Sequence, residues 1–513
     1  MNIKPPKISL ILLLLLITFP YALAFIIGAG EDQFLGFLLN PIDGLSYLAK
    51  MQQGRQGNWL FTLPYTAELE NGSFLFGFYL LLGHVSRLIS LQNILVFHIA
   101  RIFSSMYLVY VLWQFLGLFY RSNEYARKFA FILLTLGSGL GWLIFLTGLL
   151  PADFWIAEMY PFLSMYSNPH FPLGMGILLQ IIILSKADRP LKPALKIMLL
   201  GCGLSIIMPF GMVIAGMVLG GGLLVRWVQT KKIGKLVPII ALIPGFGILL
   251  WQYWQTISNP ILTQWNNQNL TPSPQWWDLL LALSPAIIFA MIGAVGRLRS
   301  DAPGESREIL WIWLISGLIL AYLPLTLQRR FLFGIFIPVG ILAIDGIGYL
   351  STRFSWLKRR GFQLLIGLSI PSNLILILVG LFGILSHSPK LFLSAAEKDA
   401  IIWIRENTEI SNVFASSQDM GMVIPALTGR RVIYGHPFET PQFENTGQIL
   451  GVFYSNPQTI SSMEQFAQDQ KVDYFICGKR EKIEWEIRDC FDQAGQIIYQ
   501  NSEIEVITPI HEN

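Results

Sequence analysis

Long apolar runs alternate with short polar segments over roughly the first 390 residues of this chain. The runs include Ile8–Phe19, Ile239–Trp251 and Leu364–Leu385, and charged residues collect between them. A hydrocarbon core about 30 Å thick requires roughly 20 apolar residues per helix, and backbone polar groups in lipid must be satisfied within their own segment. The pattern therefore predicts a polytopic α-helical membrane protein.

The apolar runs predict a first span near the N-terminus, followed by spans at 73–91, 94–119, 127–150, 171–185, 194–228, 236–255, 277–297, 308–327, 331–350 and 362–386. The segment 194–228 is too long for one crossing and has Pro209 near its middle, so it is interpreted as two spans. Gly137, Gly139 and Gly141 indicate that 127–150 is a broken pair of short helices that crosses twice. The expected number of transmembrane helices is about 11 to 13.

The positions of lysine and arginine predict the orientation of the spans. Basic residues recur in the loops 186–192, 226–235, 297–307 and 353–360, which we expect to be cytoplasmic by the positive-inside rule. Lys4 and Lys7 precede the first apolar run, which we expect to be an uncleaved span rather than a signal peptide. The loop 29–72 and the C-terminus are then extracytoplasmic, but a count of thirteen spans places Arg121, Arg127 and Lys128 outside, against the trend.

The composition changes beyond residue 388. Residues 395–408 have helical periodicity, 459–470 predict a second helix, and short strands are predicted at 412–415, 431–434, 473–477 and 497–499. Strands that alternate with helices indicate an α/β fold. We therefore divide the chain into a transmembrane module, 1–388, with its large outer loop 29–72, and a small extracytoplasmic α/β domain, 389–513.

Overall composition agrees with this division. Hydrophobic residues make up 53% of the 513 residues and charged residues 13%, about half the charge of a soluble chain. Three cysteines do not form a disulfide framework. Cys477 and Cys490 share the C-terminal domain and could pair, although free thiols are the favoured expectation.

The first outer loop carries the densest set of polar and aromatic residues. Asp43, Tyr47 and Lys50 are spaced i, i+4 and i+7, so they share one face if 43–53 is helical. Glu68 lies further along the loop, together with Trp59 and Tyr65. Carboxylates with aromatic rings suit a sugar, because the acid accepts hydroxyl protons and the rings stack on apolar sugar faces. An amphipathic interfacial helix with a purely structural role explains the same pattern.

Three further positions are candidates for substrate contacts. His170 lies at the predicted outer end of a span, where a structural histidine is the simpler alternative. Arg329 and Arg330 lie at another predicted outer end, and guanidinium groups match the geometry of phosphate, although snorkelling to lipid headgroups is an alternative. His436 and Glu439 belong to a polar stretch of the C-terminal domain, either a lid over the membrane site or an ordinary loop.

Several kinds of site have no support in the sequence. It contains no Walker-type phosphate loop, no dinucleotide fingerprint and no Asp-X-Asp pair of metal-dependent nucleotide-sugar enzymes. No clustered His/Cys set predicts a metal centre. We assign no cofactor: a divalent metal is an option without support from the sequence, and no nucleic-acid partner is expected.

The layout resembles the GT-C superfamily of integral-membrane glycosyltransferases, which includes protein O-mannosyltransferases and aminoarabinose transferases. The resemblance rests on the many spans, the long first outer loop and the soluble domain after the last span. It also rests on Asp43, Tyr47 and Ala49 followed by Gly57-Asn58-Trp59, which are similar to an acidic residue, a tyrosine and a G-x-W segment in that superfamily. The superfamily commonly has Asp-Glu where this chain has Asp43-Gly44, so Asp43 is the sole acidic match.

The resemblance implies a glycosyltransferase that uses a polyprenyl-phosphate sugar donor at the outer face of a bacterial plasma membrane. Asp43 would be the general base toward an acceptor hydroxyl of a glycan, lipid or protein, and the reaction would invert the anomeric centre. Arg329 or Arg330 would stabilise the leaving phosphate. A flippase for lipid-linked sugars, or another secondary transporter, is the alternative, but polar residues concentrate at the outer ends of the spans rather than at mid-membrane.

Overall fold

The computed structural model describes residues 5–69, 71–187, 191–232, 234–298, 307–456, 458–491 and 494–510. Lys4, Arg189 and Arg299, which carry part of the charge pattern, lie outside these ranges. The chain forms two compact units, which are described separately. Unit 1 comprises Met1–Pro20, His98–Trp251 and Thr271–Phe382, and unit 2 comprises Tyr21–Phe97, Gln252–Leu270 and Gly383–Asn513.

The described residues up to 385 are mainly helical. In chain order the helices are α1 (Lys7–Ile27), α2 (Pro41–Gln56), α3 (Gly77–Leu88), α4 (Asn93–Leu116), α5 (Glu124–Leu136), α6 (Trp142–Phe145), α7 (Ala152–Trp155), α8 (Pro161–Ser167), α9 (His170–Ser185), α10 (Leu191–Ile207), α11 (Pro209–Thr230), α12 (Val237–Ile240), α13 (Ile243–Ser258), α14 (Pro260–Gln268), α15 (Trp276–Leu283), α16 (Ala286–Leu298), α17 (Glu308–Tyr322), α18 (Phe336–Arg353), α19 (Leu357–Ser369) and α20 (Pro371–Leu385). Two 3₁₀ turns cover Ala157–Met159 and Gln328–Leu332.

Five helices in the described part of the chain are long and apolar enough to cross a membrane: Lys7–Ile27, Asn93–Leu116, Pro209–Thr230, Val237–Ser258 and Arg360–Leu385. Helices α15 and α16 would add a sixth if the pair, bent by 85°, is one span. Helices α9 and α17 are apolar but shorter. The break predicted at Pro209 is confirmed, because α10 ends at Ile207 and α11 begins at the proline. The full number of crossings stays a prediction.

Two of the predicted spans need correction. The span predicted at 73–91 is a 12-residue helix, α3, about 18 Å long at 1.5 Å per residue, and it belongs to unit 2, where it packs on the polar helix α2. The broken pair predicted at 127–150 is one 13-residue helix, α5, followed by a single four-residue turn of helix, α6. Neither helix of that segment is among the described helices long and apolar enough to cross a membrane.

The C-terminal part of unit 2 contains α21 (Ala395–Asn407), α22 (Gln418–Thr428), α23 (Phe443–Ser455), α24 (Ile460–Gln470) and α25 (Lys479–Glu484). Strands β3 (Val413–Ala415), β4 (Arg431–Val432), β5 (Tyr474–Gly478), β6 (Gly495–Gln500) and β7 (Ile504–Pro509) form a sheet of order β4-β3-β5-β7-β6. Strand β3 is parallel to both of its neighbours, and β7 is antiparallel to both of its neighbours. The predicted α/β fold is confirmed, and two further strands, β1 (Gln33–Phe34) and β2 (Phe392–Leu393), pair antiparallel elsewhere in unit 2.

One hydrophobic core joins the two ends of the sequence within unit 2. Leu48 and Met51 of α2 belong to the same buried cluster as Ile401, Phe414 and Ile476 of the C-terminal segment. Apolar side chains from α2 and from the sheet thus lose their contact with water together, which is the main stabilising term for such a unit. This core fixes α2 against the C-terminal residues of unit 2.

Cys477 and Cys490 form a disulfide, against the expectation of free thiols. Their sequence separation is 13 residues, with Cys477 in β5 and Cys490 after α25. The spacing alone does not reveal that these two elements bring the sulfur atoms together. Cys202 is free.

Candidate functional site

Helix α2 carries Asp43 in its first turn. Asn40 precedes the helix in a left-handed conformation (φ 48°), Pro41 follows it, and the helix stops at Gly57, whose φ is 107°. Proline at the first helical position costs no helical hydrogen bond, and glycine readily adopts the positive φ found just past a helix end. The helix dipole favours a carboxylate in the first turn. Asn40 Nδ2 donates to Asp43 Oδ2 at 2.6 Å, which anchors the side chain further.

His436 reaches Asp43 across 393 positions of sequence. The His436 Nε2 atom lies 3.2 Å from Asp43 Oδ1. The backbone N–H of Phe438 donates to His436 Nδ1 at 3.1 Å, so Nδ1 holds a lone pair and the ring proton is on Nε2. His436 is almost entirely buried, whereas 30% of the Asp43 side chain is accessible. Asp43 is therefore held from behind by a fixed N–H donor while part of the carboxylate stays open.

The loop that carries His436 is fastened within unit 2 by Gln268 of α14. Gln268 Nε2 donates to the carbonyl oxygens of Phe438 (3.1 Å) and Thr440 (2.5 Å), and its Oε1 accepts from the Gln442 N–H at 3.1 Å. The Thr440 hydroxyl accepts from the Gly435 N–H at 3.1 Å. One side chain thus satisfies three backbone groups of an irregular segment, which keeps the His436 ring in place.

Glu439 of the same loop pairs with Lys50, two turns along α2 from Asp43. Lys50 Nζ and Ser46 Oγ each donate to Glu439 Oε1 at 2.7 Å, and Lys50 also bonds to Ser46. The Lys50 side chain is fully buried and that of Glu439 is 9% accessible. Burial on its own would raise the pKa of the Glu439 carboxyl, but the Lys50 ammonium outweighs it and lowers the pKa below its usual value. The buried pair is therefore ionised and ties the loop to α2.

Aromatic rings enclose this ion pair. The Lys50 Nζ lies 4.2 Å from the centroid of the Phe76 ring and 5.6 Å from that of Tyr47. The Tyr47 ring stacks on Tyr79 with centroids 4.3 Å apart. Tyr65 is fully buried, and burial raises the pKa of its hydroxyl well above the usual value. The rings exclude water from the Lys50–Glu439 pair, while Tyr47 is partly exposed at the edge of the cluster.

Packing explains why glycine follows Asp43. A Cβ placed on Gly44 would lie 2.3 Å from two atoms of the Phe37 ring, and Phe37 is buried in the core of unit 2. The second acidic residue of the common Asp-Glu pattern therefore has no room in this chain. The departure noted in the sequence follows from how Phe37 packs against α2.

Four predicted residues lie away from this cluster. Glu68 is exposed and forms an ion pair with Lys471 at 2.7 Å. In unit 1, His170 is buried at the start of α9 with its ring against Phe171. Arg329 and Arg330 both contact the same buried carboxylate oxygen of Glu158, at 3.4 Å and 3.3 Å.

The cluster contains residues that the sequence analysis did not single out. Asn40, Ser46 and Gln268 each bind a predicted residue or its loop. Ser46 stands three residues after Asp43 and four before Lys50, so the helical face that grouped those two could have included it. Gln268 lies more than 160 residues from the loop it holds and had no signal in the sequence. Within the described ranges no group of three or more His, Cys, Asp or Glu residues could hold a metal ion, so no residue is assigned to one.

Comparison with solved structures finds several folds of the same kind. ArnT from Cupriavidus metallidurans bound to undecaprenyl phosphate superposes with a TM-score of 0.56 at 12% identity, covering 97% of each chain. The apo oligosaccharyltransferase of Archaeoglobus fulgidus gives 0.54 at 11% identity, covering 91% of this chain and 69% of that one. Mycobacterial arabinofuranosyltransferase AftD gives 0.51 at 11% identity, covering 98% of this chain and 40% of that one.

No protein-family model and no curated protein matched the sequence. At 11–12% identity the structural likeness shows the fold alone. The match to ArnT extends over nearly the whole chain and is not confined to one local motif.

Proposed function

We propose that this chain, whose fold is that of the GT-C glycosyltransferases, transfers a sugar from a polyprenyl-phosphate donor to an acceptor hydroxyl. The ArnT structure contains undecaprenyl phosphate, and the oligosaccharyltransferase AglB of Archaeoglobus fulgidus was solved with a dolichol-phosphate and an inhibitory peptide. A lipid-linked donor is the substrate class common to these two neighbours.

The observation that carries the proposal is the Asp43 carboxylate, fixed by Asn40 and His436 and still 30% accessible. A general base has to be held in position and reachable by the hydroxyl whose proton it removes. Asp43 meets both conditions, because two side chains fix it and part of its carboxylate can be reached from outside. The site in unit 2 therefore suits base catalysis better than it suits a capping role.

The proposed reaction is a single inverting displacement. The acceptor hydroxyl oxygen forms a bond to the anomeric carbon of the donor, and its proton passes to Asp43. The bond between the anomeric carbon and the phosphate oxygen breaks, and polyprenyl phosphate leaves with the electron pair. His436 positions the base through Nε2–H and accepts no proton in this scheme.

Charge on the leaving phosphate needs its own stabilisation, and Arg329 and Arg330 are proposed to supply it. Both guanidinium groups lie against the carboxylate of Glu158. Arginine pairs with phosphate through two parallel N–H donors, which a lysine cannot reproduce. This proposal concerns unit 1 and rests on the chemistry of the two guanidinium groups.

The burial of the other predicted substrate-binding residues separates structural roles from substrate contacts. Lys50 and Glu439 are enclosed by rings, and we assign them the holding of the His436 loop. Tyr47, partly exposed beside Asp43, is the better candidate for stacking on a sugar face. Substrate contacts by Glu68 and His170 stay predictions.

An extracytoplasmic position for the C-terminal domain is part of the proposal. The disulfide Cys477–Cys490 supports it, because thiols in the cytosol of most bacteria are kept reduced. The charge pattern of the loops supports the same orientation.

The test is the substitution Asp43→Asn, which keeps the shape of the side chain and removes the proton acceptor. We expect release of polyprenyl phosphate from a panel of synthetic polyprenyl-phosphate monosaccharides to fall by about 10²–10⁴-fold. The detergent-solubilised protein should keep a normal elution profile and melting temperature. Asp399→Asn, an exposed carboxylate on α21, is the matched control and should turn over normally.

Two outcomes would contradict the proposal. Folded Asp43→Asn protein with wild-type turnover would remove Asp43 from catalysis. Wild-type protein that moves the lipid-linked sugar across proteoliposomes without releasing polyprenyl phosphate would be a transporter.

A further inference from the structure

Unit 2 has a cavity of about 560 Å³ beside α2, away from the Asp43 site. Its polar lining comes from β1, α2, the start of α4 with the residue before it, and α21. These polar residues are Gln33, Gln52, Arg55, Gln92, Asn93, Lys398 and Arg405. Cavities of about 300–1,000 Å³ are typical of small-molecule sites. The cavity is therefore large enough for a sugar-sized ligand.

Helical geometry separates this cavity from the Asp43 site. Leu48, Gln52 and Arg55 line the cavity at i, i+4 and i+7. At 100° per residue their mean direction is roughly 140° around α2 from that of Asp43, Tyr47 and Lys50. The two sites thus use opposite faces of one helix.

The lining of the cavity is cationic. Arg55, Lys398 and Arg405 contribute three positive charges, and no Asp or Glu is among the residues that line it. Glu406 approaches Arg405 only at 3.5 Å, as an exposed pair, which is weak. Arg55 is already fixed by hydrogen bonds to Ser86 and to the carbonyl of Leu91. An anion would therefore meet a positive cavity in which one of the cations is held in place before binding.

Amide groups complete the lining. Asn93 Nδ2 donates to Gln52 Oε1 at 2.9 Å, while Asn93 Oδ1 is buried with no hydrogen-bond partner among the described residues. The side-chain amides of Gln33 and Gln52 also line the cavity, and an amide can both donate to and accept from a hydroxyl. The amides suit a ligand that carries hydroxyls as well as negative charge.

We propose that this cavity binds a phosphate group next to hydroxyls, as in a sugar phosphate or in the polyol headgroup of an anionic lipid. The inference goes beyond the proposed sugar transfer, since it requires neither Asp43 nor a donor. The three cations and the amides match the charge and the hydroxyls of such a ligand, whereas a neutral sugar would leave the cations without a counterion.

The test measures binding and not turnover. Glucose 1-phosphate and glucose are titrated against the full chain in a zwitterionic detergent at low salt. We expect glucose 1-phosphate to bind and glucose to bind at least tenfold more weakly. Lys398→Gln and Arg405→Gln should each weaken binding about tenfold, the loss expected for one charge-assisted contact. Arg488→Gln, an exposed arginine of the same unit outside the cavity, should change it less than twofold.

A second arm identifies the source of the phosphate. Wild-type protein in nanodiscs of phosphatidylcholine with or without phosphatidylglycerol is compared by native mass spectrometry with the same variants. Retention of phosphatidylglycerol that depends on Lys398 and Arg405 assigns the cavity to a lipid headgroup. Binding of glucose 1-phosphate without such retention assigns it to a soluble or glycan phosphate. If neither ligand depends on these two cations, or if glucose binds as tightly as its phosphate, the proposal is overturned.

Discussion

At the scale of single residues, a backbone N–H selects the tautomer of His436. Because the Phe438 N–H occupies Nδ1, the imidazole can offer only Nε2–H to Asp43. The donor is thus built into the backbone of the loop. Another side chain that places an N–H at the position of Nε2 should therefore replace the imidazole.

The Nε2–H donor to Asp43 predicts the behaviour of two substitutions at His436. His436→Ala should lower the turnover rate about tenfold with little change in KM, because the base loses one fixed donor. His436→Gln should recover much of the rate, since its amide nitrogen can reach the position of Nε2. Steady-state kinetics of both variants with the lipid-linked donor check this. Equal losses of rate in the two variants would show that the ring serves packing and not orientation.

Lys50 and Glu439 permit a prediction about stability. Lys50→Met alone leaves the Glu439 carboxylate buried without its cation and should cost about 3–5 kcal/mol of stability. The double variant Lys50→Met, Glu439→Leu removes both charges and should recover most of that loss. Thermal unfolding of the three proteins in detergent measures the coupling. A double variant as unstable as Lys50→Met would mean that the loss comes from packing of the methylene chain.

Which residues would meet could be predicted only in part. The spacing of Asp43, Tyr47 and Lys50 on one helix was enough to group them, because helical periodicity is local. His436 and Glu439 were singled out as polar residues, but their pairing with α2 spans about 390 positions, for which periodicity has no signal. The environment of Asp43 therefore depends on tertiary packing that a single sequence does not contain.

At the scale of elements, α2 and α3 approach closely enough for their backbones to touch. A Cβ on Gly83 would lie 2.0 Å from the carbonyl oxygen of Met51, and one on Gly54 would lie 2.1 Å from that of Leu80. Small residues permit such contact between helices. The pair of glycines thus sets the distance of α3 from the helix that carries Asp43.

Gly83→Ala should separate these helices. The added methyl group meets backbone, which cannot rotate away, so we expect a loss of about 1–3 kcal/mol and a lower melting temperature. Gly203→Ala in α10 is the control, since a Cβ there meets no atom within 4 Å and alanine favours the helix. An unchanged melting temperature for Gly83→Ala would show that α3 can shift without cost.

Glu484, at the N-terminus of α22, predicts that the stability of the fold depends on pH. Glu484 is a surface residue, and its Oε2 accepts from the Gln418 N–H at 2.7 Å. Partial desolvation of its carboxyl group, with Glu481 and Asp419 nearby, raises the pKa of Glu484 to about 7. A raised folded-state pKa means that the folded form holds the proton more tightly than the unfolded form. The stability contributed by the protonated form is present below about pH 4.5 and is lost as pH rises through 7.

Glu484→Gln, which stays neutral, should therefore gain in melting temperature relative to wild type between pH 5 and pH 8. The exposed neighbour Glu486→Gln is the control and should follow the wild-type curve. Thermal unfolding across that range checks the prediction. A constant difference between Glu484→Gln and wild type would mean that the carboxylate titrates as an ordinary surface group.

Elements with local signals were predicted well. The helix at 395–408 and the strands at 412–415 and 473–477 match α21, β3 and β5 within one or two residues. Strand β7 and helices α22 and α23 were missed. Helix α22 contains Pro425 and a fully buried apolar face, and such a segment lacks the alternation that marks a surface helix.

At the scale of the whole molecule, the short helix α3 changes the topology that the charges imply. If α3 does not cross, residues 29–92 stay outside and α4 runs inward. Arg121, Arg127 and Lys128 then lie on the cytoplasmic side, in agreement with the positive-inside rule. Removing α3 and one crossing at 127–150 takes thirteen spans to eleven, still an odd number. We propose this eleven-span arrangement, with the C-terminal domain outside.

Cysteine labelling tests the arrangement. In a Cys202→Ser background, Asn71→Cys and Ser502→Cys should react with an impermeant thiol reagent in intact cells, because both positions are exposed and predicted to be outside. Thr352→Cys, exposed and predicted to be cytoplasmic, should react only after lysis. Labelling of Ser502→Cys only after lysis would reverse the orientation of the C-terminal domain.

Unit 2 is assembled from chain segments far apart in sequence, and this affects folding during synthesis. Its core needs both Tyr21–Phe97 and Gly383–Asn513, and 286 positions separate the end of the first segment from the start of the second (383 − 97). Ribosomes add about 5–20 residues per second, so that interval lasts roughly 14–57 s. During this time α2, with Leu48 and Met51, has been synthesised while the C-terminal members of the same core, such as Ile401 and Phe414, have not. Nascent chains should therefore depend on a holding chaperone during this interval, and slowed elongation should lower the yield of folded protein.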